Sequence, residues 1–516
     1  MRKSACQKRV LGLIILITVL SGIFLCGCAD NNEQITSYSQ LREPGRVIAV
    51  STDTPETALV MKEFDKATIE SCTDIFPAYQ EVANGKTDAC IYARVQMELA
   101  IRNGVSGVCL LDENYCENIS AVAFSRKSSV PDIRNRFNEF LQELRNDGTF
   151  DDMYRRWILG EDPVMPDIPE IRSPERILKV ATTGTVPPYS YYVGDKLTGF
   201  DIEMAKRFAA WLNAGVEFRI YDFNGIMAAT QAGEADCIMS NLYYTPEREE
   251  AMDWSDPVNT VEITAMVRDQ NDAKGSADPF FSSLKNSFVK TFIRENRWKL
   301  FLSGIGTTLL ITVWSILLGT LLGFAAFMAC RHGNRIANTI TRFCVWLVNG
   351  LPVVVLLMIL YYVIFGRIKI SGTLVAIIGF AFIFGAWVFE MLKAGTATVG
   401  IGQTEAAFSM GYTDRQTFYK IVLPQAMPHI LPVFKGDVTA LIKATAVVGY
   451  IAVQDLTKMA DIVRSRTYEA FFPLIAVAVI YFILAGLLTA VVDRIEPSFD
   501  PRSRSHEEIL KGVELK

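Results

Sequence analysis

The chain has 516 residues, of which half are apolar and 21% are charged, and its formal net charge is −5. This composition excludes a purely soluble protein, and the length allows several domains. Lysine and arginine form no cluster that would follow a phosphate backbone, which argues against nucleic acid as a partner.

Residues 1–28 are typical of a lipoprotein-type export signal. Basic residues at positions 2–9 precede an apolar run at 10–25, the order of an n-region and an h-region. The box Leu25-Cys26-Gly27-Cys28 resembles a bacterial lipoprotein cleavage site and predicts lipidation of Cys28. Because Cys26 is atypical in such a box, an uncleaved anchor helix is the alternative. Both predict that the following residues lie outside the cytoplasm.

Five cysteines fall in the part that is expected to be exported, and their spacing does not match that of metal ligands. An odd number cannot pair completely, so buried thiols with at most one disulfide are expected. These residues are Cys72, Cys90, Cys109, Cys116 and Cys237.

Residues 35–268 alternate strand-like and helix-like stretches, which indicates an α/β fold. Prolines and a glycine interrupt every period at 160–174. The pattern predicts two lobes, 31–165 and 176–270, joined by a linker at 166–175.

A short repeat appears once in each predicted lobe. The stretch 83–91 reads ANGKTDACI, and 231–238 reads QAGEADCI. Each is interpreted as a helix end, a glycine C-cap and a strand preceded by aspartate. A generic helix-to-strand turn would explain the similarity equally well.

The second half is apolar enough to span a membrane. After a linker or pre-membrane helix at 271–299, a five-span domain is predicted at 300–496, followed by a tail at 497–516. Lys443 interrupts one span and should face protein or water. The predicted spans are 300–330, 343–366, 370–389, 438–453 and 470–492.

An exported N-terminal module determines the direction of the spans. The loop 331–342 is then cytoplasmic, in agreement with its three arginines, and so are the long loop 393–432 and the tail. The last outer loop runs against the positive-inside rule, since it contains Lys458, Arg464 and Arg466.

The long cytoplasmic loop contains a motif with defined spacing. Its members are Glu405, Ala406, Ala407, Gly411, Ile421, Leu423 and Pro424. The motif resembles the EAA signature of binding-protein-dependent ABC importer permeases. Small residues would let a partner approach closely, Gly411 would allow a tight turn, and Pro424 is expected to stop the following helix.

The resemblance implies a type I ABC importer permease of the polar amino acid branch. Its partners would be cytoplasmic ABC ATPase subunits, a second permease (a homodimer or a sister permease) and membrane lipid. No cofactor is expected on this chain, and ATP would be used by the ATPase. The segment Gly85-Lys86-Thr87 lacks the first glycine of a phosphate loop, since Gln80 stands there.

The exported part resembles type II periplasmic binding proteins for polar amino acids, with its lobes in permuted order. Residues 35–157 resemble the family's second lobe with its C-terminal helices. Residues 176–268 resemble the first lobe, through Pro187-Pro188-Tyr189, Gly199-Phe200-Asp201 and Thr245-Pro246-Glu247-Arg248.

The resemblance also implies a ligand site between the lobes. Arg248 would hold the α-carboxylate of the solute with two hydrogen bonds, and Asn241 would offer its backbone N–H. Phe223 would stack on the solute, Tyr189 would line the same wall, and Thr54 would reach the carboxylate. A surface ion pair for Arg248 and core packing for the aromatic residues are the alternatives.

The site departs from the family pattern where the solute's ammonium group should bind. Ala93 occupies the position of the usual aspartate. Asp53 could replace it as the ammonium partner; otherwise the module binds a different anionic solute or has lost binding.

These features predict the membrane subunit of an ABC importer that captures a small polar solute, expected to be an amino acid. The alternative is a ligand-gated channel or receptor built on similar lobes. A channel would need a re-entrant filter, and the loops contain no Thr-Val-Gly-Tyr-Gly-like segment.

Overall fold

The computed structural model describes residues 34–52, 54–72, 75–161, 163–169, 171, 174, 176–269, 280–331, 333–366, 368, 370–469 and 471–495. These residues form two compact units. Of the described residues, the first unit comprises those up to 118 together with 261–269, and the second comprises those from 119 to 260 together with those from 280 onward. The predicted signal with Cys28, the residue Asp53 and the tail 497–516 lie outside the described residues.

The α/β part, up to residue 268, alternates short strands and helices. In chain order its elements are α1 (Tyr38–Leu41), β1 (Val47–Ser51), α2 (Pro55–Glu63), β2 (Thr68–Cys72), α3 (Phe76–Ala83), β3 (Ala89–Ala93), α4 (Arg94–Arg102), β4 (Val108–Leu110), β5 (Cys116–Ser120), β6 (Ala123–Phe124), α5 (Ile133–Asn146), α6 (Thr149–Trp157), β7 (Ile177–Thr182), β8 (Thr185–Val186), β9 (Ser190–Val193), β10 (Lys196–Thr198), α7 (Phe200–Trp211), β11 (Gly215–Ile220), α8 (Phe223–Ala232), β12 (Cys237–Ile238), α9 (Pro246–Glu249), β13 (Asp253–Trp254) and β14 (Asn259–Arg268).

The first unit is built on one sheet with the strand order β2-β1-β3-β14-β4, and β5 also pairs with β14. Strand β1 is parallel to β2 and β3, whereas β14 is antiparallel to β3 and β4. Residues Ile48, Ala49 and Val50 of β1 are buried. Such an uninterrupted apolar run is typical of a strand that is covered on both faces.

The α/β part of the second unit contains a sheet with a matching order, β11-β7-β12-β6-β13. Its strand β7 is parallel to β11 and β12, and β6 is antiparallel to β12 and β13. Each sheet therefore places its first strand between the next two and adds an antiparallel strand from elsewhere in the chain. A three-stranded sheet, β10-β9-β8, lies beside it in the same unit.

The sequence repeat occupies equivalent positions in the two sheets. Gly85 and Gly233 follow helix ends with φ of 73° and 86°, as the C-cap prediction requires. Asp88 accepts a hydrogen bond from the N–H of Val47 at 2.8 Å, and Asp236 accepts one from the N–H of Lys179 at 2.9 Å. In both units the aspartate thus ties the third strand to the first, which a generic turn does not explain.

The predicted lobe boundary at 165 differs from the division in the structure, where residues 119–260 belong together. The apolar face of α5 explains the difference. Phe137 and Phe140 of this helix pack on Phe208 of α7, with ring centroids 5.1 and 5.3 Å apart. The proline-rich stretch at 160–174 is therefore a connection within the second unit rather than a boundary between lobes.

The apolar half of the second unit is helical. In chain order its α-helices are α10 (Phe280–Phe288), α11 (Trp298–Arg331), α12 (Arg335–Gly350), α13 (Val353–Met358), α14 (Gly372–Ala397), α15 (Ile401–Ser409), α16 (Asp414–Thr417), α17 (Leu423–Ala444), α18 (Leu456–Thr467) and α19 (Phe472–Ile495). Three helices among the described residues are long and apolar enough to cross a membrane, and the number rises to five if each of two bent pairs is one span.

The predicted span at 343–366 is bent rather than straight, because α12 and the helix that begins with α13 meet at 116°. Leu351 is extended there, with φ of −110° and ψ of 138°. Pro352 explains the break, since proline lacks an N–H and disfavours helical geometry in the residue before it. The other bent pair, at 60°, joins the segment that contains α17 to α18.

Helices α11 and α14 pack closely through glycines. A Cβ atom on Gly323 would stand 2.4 Å from the main-chain oxygen of Gly385, and one on Gly319 would stand 2.8 Å from the oxygen of Ala381. Only glycine allows this approach, which is a common way to pack helices in membranes.

Candidate functional site

Arg248 is held by a one-turn helix in the second unit. Thr245 caps α9, and its Oγ1 accepts a hydrogen bond from the N–H of Arg248 at 3.3 Å. The guanidinium Nη1 donates to the main-chain oxygen of Tyr243 at 2.9 Å, and Cζ lies 5.7 Å from the ring centroid of Phe223. The structure therefore brings together the predicted carboxylate and stacking residues, as a cation above an aromatic ring.

Phe223 is 36% exposed although its side chain is large and apolar. It is the first residue of α8, directly after the N-cap Asp222. Its exposed surface, beside a half-buried guanidinium, is able to receive a flat or apolar group whose other end is anionic.

Asn241 does not offer the free backbone N–H that the sequence predicts. Its N–H donates to Oδ2 of Asp201 at 2.6 Å. Burial raises the pKa of the Asp201 carboxyl to about 6, although this hydrogen bond acts in the opposite direction. Asp201 thus stabilises Asn241 in its left-handed conformation, with φ of 48°. The sequence offered a signal for this contact in Asp201 of the Gly-Phe-Asp motif, because a buried carboxylate needs a hydrogen-bond donor within the same lobe.

Tyr189 belongs to the core and does not line the wall. It is 1% exposed, and its ring meets Phe200 edge-on with centroids 6.3 Å apart. Gly199 explains this position, because a Cβ there would stand 2.2 Å from the main-chain oxygen of Tyr189. The alternative of core packing is therefore correct for this residue.

In the first unit, Thr54 lies at the N-terminus of α2. Its hydroxyl contacts the oxygen of Ser51 at 3.2 Å and the hydroxyl of Thr57 at 2.9 Å. Ala93, at the position of the usual aspartate, is fully buried. Arg94 after it donates to Asn114 at 2.8 Å and so belongs to the frame of this lobe.

The predicted docking loop forms α15, a turn, and the helical segment that leads into α17. Gly411 adopts φ of 80°, which confirms that this turn needs glycine. Ala407 is buried, whereas Glu405 and Ala406 are exposed, and so are Phe408 (47%) and Met410 (67%). Arg331 at the end of α11 holds the loop by an ion pair with Asp414 at 2.8 Å.

Pro424 does not stop a helix as predicted, because it lies in the first turn of α17. Proline is tolerated at this position, where the N–H has no partner within the helix. Ile421 belongs to the π-helix Phe418–Val422 just before it, and Leu423 is the first residue of α17.

The α/β part of the second unit contacts the helical part through residues that the sequence did not identify. Nζ of Lys458 in α18 donates to Oδ1 of Asp222 at 2.7 Å. Arg466 of the same helix lies over the ring of Tyr191 at 5.0 Å and pairs with Glu295 at 3.5 Å. These are two of the three basic residues that contradict the positive-inside rule, and their acidic and aromatic partners explain why they stand there.

A cleft of about 430 Å³ opens beside α12 and α14. Arg342, Asn349, Glu390 and Lys393 bring polar groups to its wall, and Trp346 brings an aromatic ring. Charged groups on apolar helices face water or protein rather than lipid. This cleft was not predicted from the sequence.

The model of the family described as "Bacterial extracellular solute-binding proteins, family 3" matches residues 178–445, just over half of the chain. The chain belongs to this family. This chain is also similar to two permeases. It is 31% identical over 199 residues (38% of this chain, 90% of the relative) to the "Putative glutamine transport system permease protein GlnP" of Rickettsia typhi. It is 27% identical over 203 residues (37% of this chain, 89% of the relative) to the "Histidine/lysine/arginine/ornithine transport system permease protein HisQ" of Salmonella typhimurium.

One solved structure, described as an amino acid ABC transporter with histidines, aligns with 43% of this chain and 99% of its own chain, at 27% identity and a TM-score of 0.37. The family match and the permease relatives identify a fusion of a solute-binding module with an amino acid ABC transporter permease. The prediction of an importer subunit is confirmed, in preference to a channel.

Proposed function

We propose that the chain captures a polar amino acid outside the cell and passes it through its own permease domain, powered by a separate ATPase. The observation that carries the proposal is the pairing of Arg248 with Phe223, an arginine fork beside an exposed aromatic ring. The relatives named for glutamine and for basic amino acids support an amino acid as the solute.

The exposed residues of the docking loop support an ATPase partner. Phe408 and Met410 place apolar side chains on a surface that Gly411 folds into a tight turn, and such a surface fits a cleft on another protein. We expect Met410→Asp to abolish co-purification of the ATPase, whereas Arg335→Ala, a change of an exposed residue at the start of α12, should leave it intact. Retention of the ATPase by Met410→Asp would contradict this role.

The two ends of α11 support the proposed orientation. Arg331 at its C-terminal end binds the docking loop, and Gly304 near its start packs against Leu456 of α18, the helix that contacts the solute-binding lobe. A helix of 34 residues is about 50 Å long, enough to cross a membrane. In a cysteine-free background, a cysteine at Gly402 should be labelled only from the cytoplasm and one at Lys196 only from outside.

A second permease domain completes the transporter, either a second copy of this chain or a sister permease. Trp346 and Phe343 expose large aromatic faces on α12, beside the cleft that contains Glu390. The mass of the complex extracted in detergent decides between the two compositions.

The solute is tested on the full chain in lipid nanodiscs, by thermal shift against amino acids and organic anions. Loss of a desolvated charge pair costs about 2–5 kcal/mol, so Arg248→Ala should weaken binding by about 30-fold or more. Arg248→Lys should restore only part of the affinity because lysine lacks the fork. The control is Arg134→Ala, an exposed arginine of the same lobe. No stabilisation by any amino acid would refute the proposal.

A matched pair of ligands tests Asp53 as the ammonium partner. The stabilising amino acid is compared with the same molecule without its amino group. The wild type should prefer the amino acid, and Asp53→Asn should remove most of that preference. An equal preference in both proteins would exclude Asp53 from this role.

A further inference from the structure

The turn at the start of α8, residues 221–225 (the α8 turn), contacts two sites at once. Phe223 of this turn lies against Arg248. Asp222, one residue earlier, accepts from Nζ of Lys458 at 2.7 Å, and the same ammonium donates to the oxygen of Tyr221 at 3.0 Å. The turn therefore connects the candidate solute site directly to α18.

Lys458 is buried in this contact, with 4% of its surface exposed. A buried ammonium group is stable only when it keeps its counter-charge and hydrogen bonds, and loss of one partner is strongly unfavourable. The Asp222 carboxylate, although one third exposed, is the counter-charge of this buried ammonium, so a change in its position alters the surroundings of α18.

Glycines on both sides allow a close fit. A Cβ on Gly449 would stand 2.5 Å from Oδ2 of Asp222, and one on Gly225 would stand 3.1 Å from the oxygen of Tyr450. The hydroxyl of Tyr362 donates to that same oxygen at 2.7 Å. The α8 turn thus packs against Tyr362 and the segment 449–450.

These receiving residues belong to two irregular helical segments. Tyr362 lies in the π-helix Ile359–Ile364, and Gly449 lies in the 3-10 helix Thr445–Ile451. Each segment is part of one of the two bent helix pairs. The π-helix ends its helix, and the 3-10 helix stands directly before the 60° bend to α18. The turn therefore touches the permease at one helix end and beside one bend.

We propose that Asp222 and Lys458 form a coupling pair that transmits solute occupancy at Phe223 and Arg248 to these two irregular segments. Both are positioning residues for transport and do not bind the solute. The inference rests on the proposed function for its solute, but the mechanical link is testable without one.

Hydrogen exchange on the full chain in nanodiscs measures the link directly. Asp222→Asn and Lys458→Met should each speed exchange by about tenfold or more in two peptides, 219–226 and 445–462, because each change breaks an ion pair whose ammonium is buried and so loosens both sides. Because one ion pair can be lost only once, the double variant Asp222→Asn with Lys458→Met should exchange no faster than the faster of the two single variants. Faster exchange in the turn alone, or no change, would overturn the proposal.

Transport then separates coupling from simple stability. With the solute that stabilises the wild type, Asp222→Asn should bind within about threefold of wild type while its uptake into cells falls about tenfold or more. Loss of binding and uptake together, or normal uptake, would overturn the coupling role. If no solute stabilises the wild type, the proposed function fails, and the exchange experiment alone decides whether the pair links the turn to the permease.

Discussion

Replacing Asp201 by asparagine should stabilise the protein near neutral pH. The carboxyl pKa is about 6 in the folded lobe, against 3.8 for an ordinary aspartate. The folded state therefore retains a proton between about pH 4 and 6 that the unfolded state has lost. The stability contributed by the protonated group is complete below pH 4 and is lost as the pH rises through 6.

The size of the effect follows from the shift. Two pKa units correspond to about 3 kcal/mol, and the partial exposure of Asp201 reduces this to about 1–3 kcal/mol. The asparagine side chain would carry no charge, and its amide oxygen would still accept the N–H of Asn241. We expect Asp201→Asn to match the wild type near pH 3.5 and to unfold about 2–6 °C higher near pH 7.5.

The assay is a thermal unfolding series of the full chain in detergent, monitored by intrinsic fluorescence across that pH range. Asp253→Asn, an exposed carboxylate of the same lobe in a surface ion pair, is the control and should follow the wild-type curve. If Asp201→Asn also runs parallel to the wild type, or is less stable near neutral pH, the burial argument for Asp201 is wrong.

Two further predictions concern packing and charge. Gly323→Ala should lower the thermal midpoint or the yield, since its new methyl would meet a main-chain oxygen at 2.4 Å, whereas Gly306→Ala, with open space around it, should be neutral; equal behaviour would contradict close packing of α11 on α14. Glu203→Gln should lower the free energy of unfolding by about 2–4 kcal/mol, because this fully buried carboxylate pairs with Arg156 at 2.8 Å. The control Glu217→Gln, at an exposed carboxylate, should change the unfolding midpoint little. Similar losses of stability in both variants would contradict a stabilising role for the buried ion pair.

Local patterns predicted the helix and the turn of the predicted docking loop well. Gly411 and the alanines before it lie within one loop, so spacing alone indicates a helix and a turn. Pro424 was misread because a helix-breaking residue also fits the first turn of a helix, and spacing does not distinguish the two. Hydropathy likewise identified an apolar stretch at 343–366 but carries no information on the bend at Pro352.

The geometry of the candidate solute site was predicted only in part because side-chain direction depends on distant partners. Arg248 and Phe223 meet as expected, since a capped turn orients one and a helix start presents the other. Tyr189 turned inward because Gly199 leaves room for its backbone, a contact between separate segments. The role of Lys458 depends on a residue more than 200 positions away, and only its unexpected charge pointed to it.

The contact between Asp222 and Lys458 has a consequence for how solute is delivered to the permease. A free binding protein must diffuse to its permease, whereas a lobe tethered by the chain faces it at an effective concentration of about millimolar. The rate of delivery then does not depend on how much binding protein the cell makes. Each permease domain has one solute-binding module on the same chain. A separate binding protein would have to displace the attached lobe before it could dock on the same permease surface.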